Sequence, residues 1–407
     1  MKLKSPLPLE ILFVLVITVF TEGCTKWKLT GSMAVPRLRH TATLLPDGSV
    51  LVAGGTDGIN VWNSSERYNP VSGKWTAAAS MHLPRVAHTA TQLLDGRVLV
   101  AGGFQDVVGE SLRQTDSAEI YDPVKDQWTV VAPMHVARAY HLAELLLDGR
   151  VLVVNGGPTG SVAKQRSVEL YNPSTNTWDS VGSTTMGHAE GTITRLTDGS
   201  ILVAGGLEFG TEAKNPPIYA SNYSEHYVPD SGAGQWGEVS VMNELPSSQA
   251  ASILRDGTVL VTGGLTPGGT VRSTVRYHEP ATLASFQNNV WQYSQDMFSV
   301  RSRHTQTTLV DGTVLVVGGY LGCIQTQPTT PCSTSTGGVE VFQPTNSVSG
   351  VWTNADYLNV PRGGHTATLL GGYQCKILVA GGYNWGTKAA LSSAELYPTL
   401  CPRPPRP

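Results

Sequence analysis

The chain has 407 residues, of which 14% are charged, and its formal net charge is -3. It contains neither a basic field nor a run of like charges, so nucleic acid is not an expected partner. Its 44 glycines and 25 prolines favour many short strands joined by tight turns. One unit recurs from end to end without an interrupting linker, which argues against a division into two or three domains.

Residues 1–24 have the pattern of an export leader. Lys2 and Lys4 precede an apolar run at residues 11–20, which is too short to span a bilayer as a helix of the mature protein. Gly23 before Cys24 resembles the cleavage site of a bacterial lipoprotein, where the cysteine becomes the lipidated first residue. Ordinary cleavage nearby and an uncleaved anchor remain alternatives. We expect a secreted or envelope-anchored protein that contacts a membrane only through such a lipid anchor.

A Gly-Gly pair ends a hydrophobic strand seven times along the chain. The period is roughly fifty residues, which is typical of arrays of small sheets, and the pairs begin at Gly54, Gly102, Gly156, Gly205, Gly263, Gly318 and Gly381. An Asp-Gly turn precedes each of the first six pairs, and Gly371-Gly372 replaces it in the seventh. A third strand ending in Tyr (Phe once) and a fourth strand marked by Trp complete each predicted four-stranded unit.

This order of strand, Gly-Gly, loop, Glu-x-Tyr, turn and Trp resembles the kelch repeat over about residues 27–398. Kelch repeats form β-propellers, in which small sheets called blades surround a central channel. The resemblance therefore implies an all-β fold, a seven-bladed kelch β-propeller. Its Tyr and Trp side chains are expected to pack between neighbouring blades.

The chain ends predict how the ring closes. The seventh repeat has no Trp after Tyr397, whereas Trp27 precedes Met33 at the interval found between Trp and Met in other repeats. We expect the N-terminal segment to supply the fourth strand of the last blade, which leaves no open edge. The propeller is thus assigned to residues 25–400, followed by an extended Pro/Arg-rich tail at residues 401–407.

Five cysteines suit an oxidising compartment. Cys323 and Cys332 bracket one short loop, and the meander places Cys375 and Cys401 at the same edge of the last blade. Two disulfides plus a lipidated Cys24 would account for all five residues.

An arginine occurs three residues before a histidine at the start of five blades. The pairs are Arg37 and His40, Arg85 and His88, Arg138 and His141, Arg301 and His304, and Arg362 and His365, with Arg39 and Arg303 beside two of them. We interpret the histidines as structural, because residues spread over separate blades do not converge on one metal ion. The arginines, Arg303 included, are either structural or placed on the channel rim, where they would grip a carboxylate.

Two blades depart from this pattern. In the fourth, His188 occupies the arginine position and Gly191 the histidine position, with Glu190 between them. His188 and Glu190 are therefore weak candidates for a catalytic base and its orienting carboxylate, with sequence drift as the alternative. In the fifth blade, Pro246 and Gln249 occupy the two positions.

Three aromatic residues fall outside the repeat. Trp62, Tyr383 and Trp385 lie on the variable connections of the first and seventh blades, which are neighbours in the ring. Aromatic side chains on adjacent loops can stack on a sugar or anchor a partner, whereas local loop packing is the alternative. The long connections lie on the same face, which is where we expect binding.

Two enzyme families share this architecture. Galactose oxidase holds copper through tyrosines and histidines and carries a tyrosine–cysteine cofactor, and a secreted sialic-acid epimerase has a six-bladed kelch propeller. The first five repeats contain no cysteine that would form such a crosslink. We expect neither a metal nor a cofactor.

The favoured function is a non-enzymatic, monomeric binding propeller of the cell envelope that recognises a protein or glycan on its variable face. The alternative is a carbohydrate-active enzyme, epimerase-like or oxidase-like, with its site at an arginine-lined central channel. A structural envelope protein without a small ligand is the third option.

Overall fold

The computed structural model of the chain describes residues 26–106, 113–157, 165–209, 218–242, 247–266, 269–271, 273–277, 291–323, 332–371 and 376–399. The leader, Cys24, Cys375, Cys401 and the C-terminal tail lie outside these ranges, so the expectations for them stay predictions. Across the described ranges no helix is long and apolar enough to cross a membrane.

The described residues form seven antiparallel four-stranded sheets. In blade order the strands are Thr41–Leu44, Val50–Ala53, Ser65–Asn69 and Lys74–Ala78; Thr89–Gln92, Val98–Ala101, Ala118–Asp122 and Gln127–Val131; Leu142–Leu145, Val151–Val154, Ser167–Asn172 and Thr177–Ser183; Thr192–Arg195, Ile201–Ala204, Tyr223–Val228 and Gln235–Val241; Ala250–Ile253, Val259–Thr262, Thr274–Tyr277 and Trp291–Tyr293; Thr305–Thr308, Val314–Val317, Val339–Pro344 and Gly350–Ala355; and Thr366–Leu370, Lys376–Ala380, Ala394–Pro398 and Lys28–Leu29.

Four short ribbons extend from the variable connections of blades 4 to 7. They pair Leu207–Phe209 with Ile218–Ala220, Leu265–Thr266 with Gly269–Thr270, Tyr320–Leu321 with Thr334–Ser335, and Tyr383–Asn384 with Ala389–Ala390.

The blades form a closed ring, as the sequence predicts. The first strand of every blade contacts the first strands of the next and the preceding blade, and the strand of blade 7 contacts that of blade 1. The N-terminal strand is the fourth strand of blade 7, with Lys28 opposite Leu396 and Leu29 opposite Glu395. The expected closure is confirmed, and it removes the unpaired edge that an open blade would present.

The apolar core lies between neighbouring blades. The second strand of each blade is buried on both faces, because its residues pack against the blades on either side. The repeated Tyr and Trp form close ring pairs within a blade, such as Tyr121 and Trp128 with centroids 5.1 Å apart. The indole of Trp128 also donates a hydrogen bond to the carbonyl of Ala79 in the preceding blade. These aromatic residues therefore join blades, as expected.

The two faces of the ring differ. One face carries the Asp-Gly turns and the turns between third and fourth strands, and we name it the turn face. The opposite face carries the Gly-Gly pairs, the connections between second and third strands and the connections between blades, and we name it the variable face. Lys28 pairs with Leu396, and Leu29 pairs with Glu395. Leu396 lies nearer than Glu395 to the turn-face end of the strand Ala394–Pro398, so the chain enters the propeller from the turn face.

The first glycine of each pair is required by the next blade. A Cβ at Gly54, whose φ is +63°, would lie 2.5 Å from the carbonyl oxygen of Arg85 and 2.7 Å from the ring of His88. Blade 3 differs, because Asn155 takes this position with φ 60° and Gly156 takes the second. The pair in blade 3 is therefore shifted by one residue from the Gly-Gly assigned by sequence.

Candidate functional site

The five repeated arginines lie in the interior of the blades. All five side chains, Arg37, Arg85, Arg138, Arg301 and Arg362, are 0% exposed. This corrects the expectation that they line the channel rim, because a ligand cannot reach a guanidinium that is fully enclosed. Their burial fits the alternative interpretation, in which these arginines are structural.

Each of these guanidinium groups connects strands of its own blade. In blade 2, Nη1 of Arg85 donates to the carbonyl oxygens of Gly102 and Ser117, each at 2.9 Å. Nη2 of Arg85 pairs with Oε1 of Glu119 at 3.0 Å. The other carboxylate oxygen of Glu119 accepts the backbone N–H of His82, which belongs to the connection from the preceding blade. The Arg of the blade start and the Glu of Glu-x-Tyr therefore form one structural unit.

The two irregular blades lack the arginine of this unit. In blade 4, His188 replaces the arginine: its Nδ1 bonds the carbonyl of Gly205 at 2.6 Å and its Nε2 bonds Oε1 of Glu225 at 3.1 Å. In blade 5, Pro246 lies outside the described residues, and Val275 stands where the other blades have the glutamate. His188 is fully buried and pairs with Glu225, so the expected acid–base pair of His188 with Glu190 does not form.

The five repeated histidines occupy the space between the innermost strands. Each Nε2 hydrogen-bonds a threonine hydroxyl of the preceding blade, as in His88 with Thr41 at 3.0 Å and His141 with Thr89 at 2.8 Å. Gln249 replaces histidine in blade 5 and reaches the carbonyl oxygen of Ala204. Because each Nε2 has a partner in the preceding blade, the five histidines hold neighbouring blades together.

Burial keeps these histidines neutral. Burial first and the nearby arginines second lower the pKa of His40, His88 and His304 to about 3. Burial also places the pKa of His141 and His365 well below the ordinary value. A neutral imidazole avoids the free-energy cost of a buried charge beside an arginine.

A ring of seven residues, one per blade, surrounds the channel at the variable face. All seven have φ between +48° and +61°, and we name them the collar: Arg39, Ala87, Tyr140, Glu190, Ser248, Arg303 and Gly364. Each backbone N–H donates to the carbonyl oxygen of the collar residue in the preceding blade, at 2.8 to 3.4 Å. The seven bonds form a closed circle, which offsets the strain of left-handed backbone at six non-glycine residues.

Collar side chains surround a cavity of about 320 Å³ at the channel mouth. Nη2 of Arg303 lies 3.1 and 3.0 Å from the two carboxylate oxygens of Glu190. Ser248 donates its hydroxyl to Oε2 of Glu190 at 2.6 Å, and Nη2 of Arg39 lies 3.9 Å from Oε1. The Arg39 guanidinium also lies over the ring of Tyr140, 4.9 Å from its centroid, and donates to its hydroxyl. The mouth therefore holds two cations and one anion.

The carboxylate of Glu190 is ionised at all physiological pH values. Burial alone would raise its pKa, but Arg303, Arg39 and the Ser248 hydroxyl outweigh burial and lower the pKa to about 2. Burial raises the pKa of Tyr140 despite the opposing effect of Arg39, so its phenol stays protonated. General acid–base catalysis requires a group that exchanges a proton near neutral pH, and neither of these two groups does so.

The two collar arginines keep hydrogen-bond donors that no described residue accepts. Arg303 uses Nη2 for Glu190, and Arg39 uses Nη1 for Tyr140. The side chains of Arg303 and Arg39 are 26% and 31% exposed, against 14% for Glu190, so both are more accessible to solvent than the side chain of Glu190. Arg303 in blade 6 and Arg39 in blade 1 flank blade 7, whose collar residue Gly364 has no side chain. Gly364 lines the cavity between the two arginines, and the hydroxyl of Tyr320 lies 3.1 Å from where a Cβ of Gly364 would be.

The aromatic candidates lie on the variable face but are packed locally. The indole of Trp62 donates to the carbonyl oxygen of Pro36 at 3.0 Å. Trp385 packs edge-on against Tyr320 and Tyr383, with centroids 6.2 and 5.1 Å apart. Among the described residues no hydrogen bond or ring contact joins Trp62 to the Trp385 cluster. Their role in binding stays a prediction.

Cys323 and Cys332 form the expected disulfide. It closes the connection of blade 6 beside the aromatic cluster of Tyr320, Tyr383 and Trp385. A disulfide is consistent with an extracellular protein.

Sequence reasoning missed most of the collar. The sequence indicates Arg303 as a candidate for the channel rim and Glu190 as a residue in a blade that departs from the repeat. Both residues line the channel mouth. Tyr140 and Ser248 were not singled out. The available signal was their shared position: each directly precedes the histidine position of its blade, where the residue type varies while the neighbours repeat.

The described residues do not fit a copper centre. Over these ranges no group of three or more His, Cys, Asp or Glu side chains is placed to hold a metal ion. The repeated histidines give Nε2 to hydroxyl groups, and both described cysteines of blade 6 are in a disulfide.

Comparison with known proteins supports the fold. Residues 37–82 and 85–135 match the Kelch motif, and no curated protein matches the sequence at a significant level. The structure is similar to that of a novel fungal alcohol oxidase with catalytic diversity among the AA5 family, in complex with copper: the TM-score is 0.68 and the identity 18%, over 92% of this chain and 76% of that chain. It is also similar to YjhT, with a TM-score of 0.56 and 15% identity over 79% of this chain and 99% of that chain. Likeness at this identity shows the fold alone. The chain is a seven-bladed propeller built from kelch repeats.

Proposed function

We propose that this chain is a non-enzymatic binding propeller of the cell envelope, which captures a glycan or protein on its variable face through a carboxylate held at the channel mouth. The observation that carries the proposal is the pair of partly exposed arginines, Arg39 and Arg303, at one concave site. Arginine donors in a shaped cavity recognise carboxylates with defined geometry.

The balance of charge supports an anionic ligand. Two arginines face one carboxylate, so the mouth has an excess positive charge although the chain as a whole carries -3. The spare donors of both arginines are available to a ligand carboxylate, which is a stronger partner for a guanidinium than the water it would displace. The small cavity fits one acidic group rather than a whole macromolecule.

The protonation states favour binding over turnover. An epimerase-like reaction needs a group that takes and returns a proton near neutral pH. Glu190 has its pKa lowered to about 2, and the neighbouring histidines His40, His88 and His304 have theirs lowered to about 3 by burial first and by arginines second. The enzyme alternative gains no support from these groups, and no copper chemistry is assigned to them.

The path of the chain supports an envelope location. The N-terminal strand enters from the turn face, so an anchor at Cys24 would hold that face toward the membrane. The channel mouth would then point away from the membrane, where a large glycan or a protein has access. Lipidation of Cys24 and export by the leader are parts of this proposal.

The test is a thermal-melt screen of the purified protein against acidic and neutral glycans, acidic peptides and their amidated forms. A ligand present at a hundred times its dissociation constant stabilises the folded state by about 2.7 kcal/mol. We expect acidic members to raise the melting temperature and neutral analogues to leave it unchanged. The shift should vanish in Arg303→Ala, with Arg97→Ala on the turn face as the matched control.

Two results would overturn the proposal. The first is a shift of equal size for acidic and neutral ligands, since that would remove the role of the arginines. The second is release of a chemically altered product when the protein is incubated with a ligand that binds, which would favour the enzyme.

A further inference from the structure

The collar contains one acidic side chain, and its position affects which charged ligands the channel mouth binds. Glu190 lies in blade 4, across the channel from blade 7, whose collar residue Gly364 lies between Arg303 and Arg39 in the ring. It has φ +55°, a backbone conformation that is strained in a non-glycine residue and persists only where the surroundings impose it. Its carboxylate is the one anion among the described collar residues.

We infer that Glu190 is a built-in competitor that sets the charge selectivity of the channel mouth. Its carboxylate already binds the arginines that a ligand carboxylate would use, at 3.0 and 3.1 Å from Nη2 of Arg303. The mouth therefore accepts one further negative charge and disfavours a second. This inference rests on the proposed function and adds the regulation of that site.

Glu190 has two opposite effects on the affinity for a ligand carboxylate. Glu190 holds Arg303 and thereby lowers the entropy lost when a ligand binds, which would favour affinity. It also places a fixed negative charge beside the incoming carboxylate, in a partly buried site where screening by water is weak. Like charges at close range outweigh the ordering of one side chain. Repulsion should therefore dominate, and removal of the charge should strengthen binding.

Glutamine is a suitable replacement because its amide oxygen can keep the two hydrogen bonds that Oε2 accepts, whereas its NH2 group takes the place of Oε1, which accepts from Arg303 at 3.1 Å. The amide oxygen of Glu190→Gln can still accept from the Ser248 hydroxyl and from Arg303, which bond the carboxylate at 2.6 Å and about 3 Å in the native protein. Glu190→Gly provides a second variant, since glycine takes positive φ without strain and Gly364 occupies the equivalent place in blade 7. Either variant removes the charge, and only glutamine keeps an acceptor for Ser248 and Arg303.

Calorimetric titration of the full-length protein with three sugars of similar size tests the inference. Glucose is neutral, glucuronate carries one negative charge and glucarate carries two. For the native protein we expect affinity for glucuronate above that for glucose and for glucarate. In Glu190→Gln, affinity for glucuronate should rise roughly tenfold, affinity for glucarate should rise more, and glucose should not change.

The outcomes distinguish this inference from the proposed function. If Glu190→Gln and Glu190→Gly both weaken glucuronate binding, Glu190 positions the arginines and the inference is wrong, while the site stands. If both variants leave the affinities for glucuronate and glucarate unchanged, the inference is likewise wrong. If Arg39→Ala and Arg303→Ala leave every affinity as it is in the native protein, the channel mouth is not the site and the proposed function fails too.

Discussion

At the scale of single residues, buried charge pairs hold each blade together. The arginine at the start of a blade and the glutamate of its third strand are both enclosed, as for Arg85 and Glu119 with 0% and 1% of their side chains exposed. Removing one partner of such a pair leaves the other charge unpaired in a medium of low dielectric. Blade 5 has Val275 at the glutamate position and Pro246 at the arginine position, so both charges are missing together.

We expect Glu119→Val to lower the free energy of unfolding by about 3–5 kcal/mol. The double variant Arg85→Leu/Glu119→Val should cost less than the sum of its single variants by more than about 1 kcal/mol, because it leaves no unpaired charge. Urea unfolding of the four proteins of this cycle measures the coupling. Strict additivity would show that the two side chains do not act as a pair.

The sequence predicted these residues but not their place. Arg37 and its counterparts were identified by their spacing from histidine, and the same spacing was compatible with the channel rim. The Glu of Glu-x-Tyr recurs in the five blades that have the arginine and in blade 4, where His188 replaces it, and both residues are lost in blade 5. Pairing the two patterns would have predicted the buried ion pairs. The pattern offers no such guide to the collar, whose residue type differs in every blade except for the two arginines.

At the scale of strands, the N-terminal segment closes the ring. Trp27 is 4% exposed and packs against Tyr397 with ring centroids 4.9 Å apart, the arrangement that Tyr and Trp have in the other blades. Its neighbour Leu29 lies on the same short segment but has 62% of its surface exposed. Substitution of Trp27 therefore tests packing in the core, whereas substitution of Leu29 tests an exposed residue of the same segment.

Trp27→Ala should lower the free energy of unfolding by about 3–5 kcal/mol, since a large buried ring is removed from the interface of blades 6 and 7. Leu29→Ala is the matched control and should change it by no more than about 0.5 kcal/mol. Equilibrium unfolding in urea, followed by tryptophan fluorescence and circular dichroism, gives both values. Equal effects of the two substitutions would contradict closure by Trp27.

At the scale of the whole molecule, five neutral histidines make the ring sensitive to acid. In the unfolded chain a histidine takes up a proton near pH 6.5, whereas in the folded protein burial lowers the pKa of His40, His88 and His304 to about 3. Between these pH values the unfolded state binds more protons than the folded state. Stability is therefore fully present above about pH 6.5 and is lost as pH falls toward 3.

The loss should be steep, because each buried histidine contributes up to about 1.4 kcal/mol per pH unit in this window. Urea unfolding between about pH 5 and pH 6.5, where few carboxylates titrate, should show a free energy that decreases with acidity. His88→Gln, which introduces the residue type that blade 5 has at Gln249, should reduce the slope by about one proton. A slope that is the same in His88→Gln as in the native protein would contradict burial as the cause.

The fold as a whole followed from the sequence because the repeat carries it. Seven Gly-Gly pairs and the position of Trp27 indicated blade number and closure, since each blade can bury its faces only against its neighbours. The site did not follow. A collar is a property of the closed ring, in which Arg39, Glu190 and Arg303 meet although they are far apart in the chain, and no single repeat contains it.

The most direct test of the central claim is a crystal structure of the protein soaked with glucuronate. We predict density for the sugar at the channel mouth on the variable face, with its carboxylate between Arg39 and Arg303 above Gly364. Density on the turn face, or on the variable loops with both arginines still facing only Glu190 and Tyr140, would contradict the assignment of the collar as the binding site.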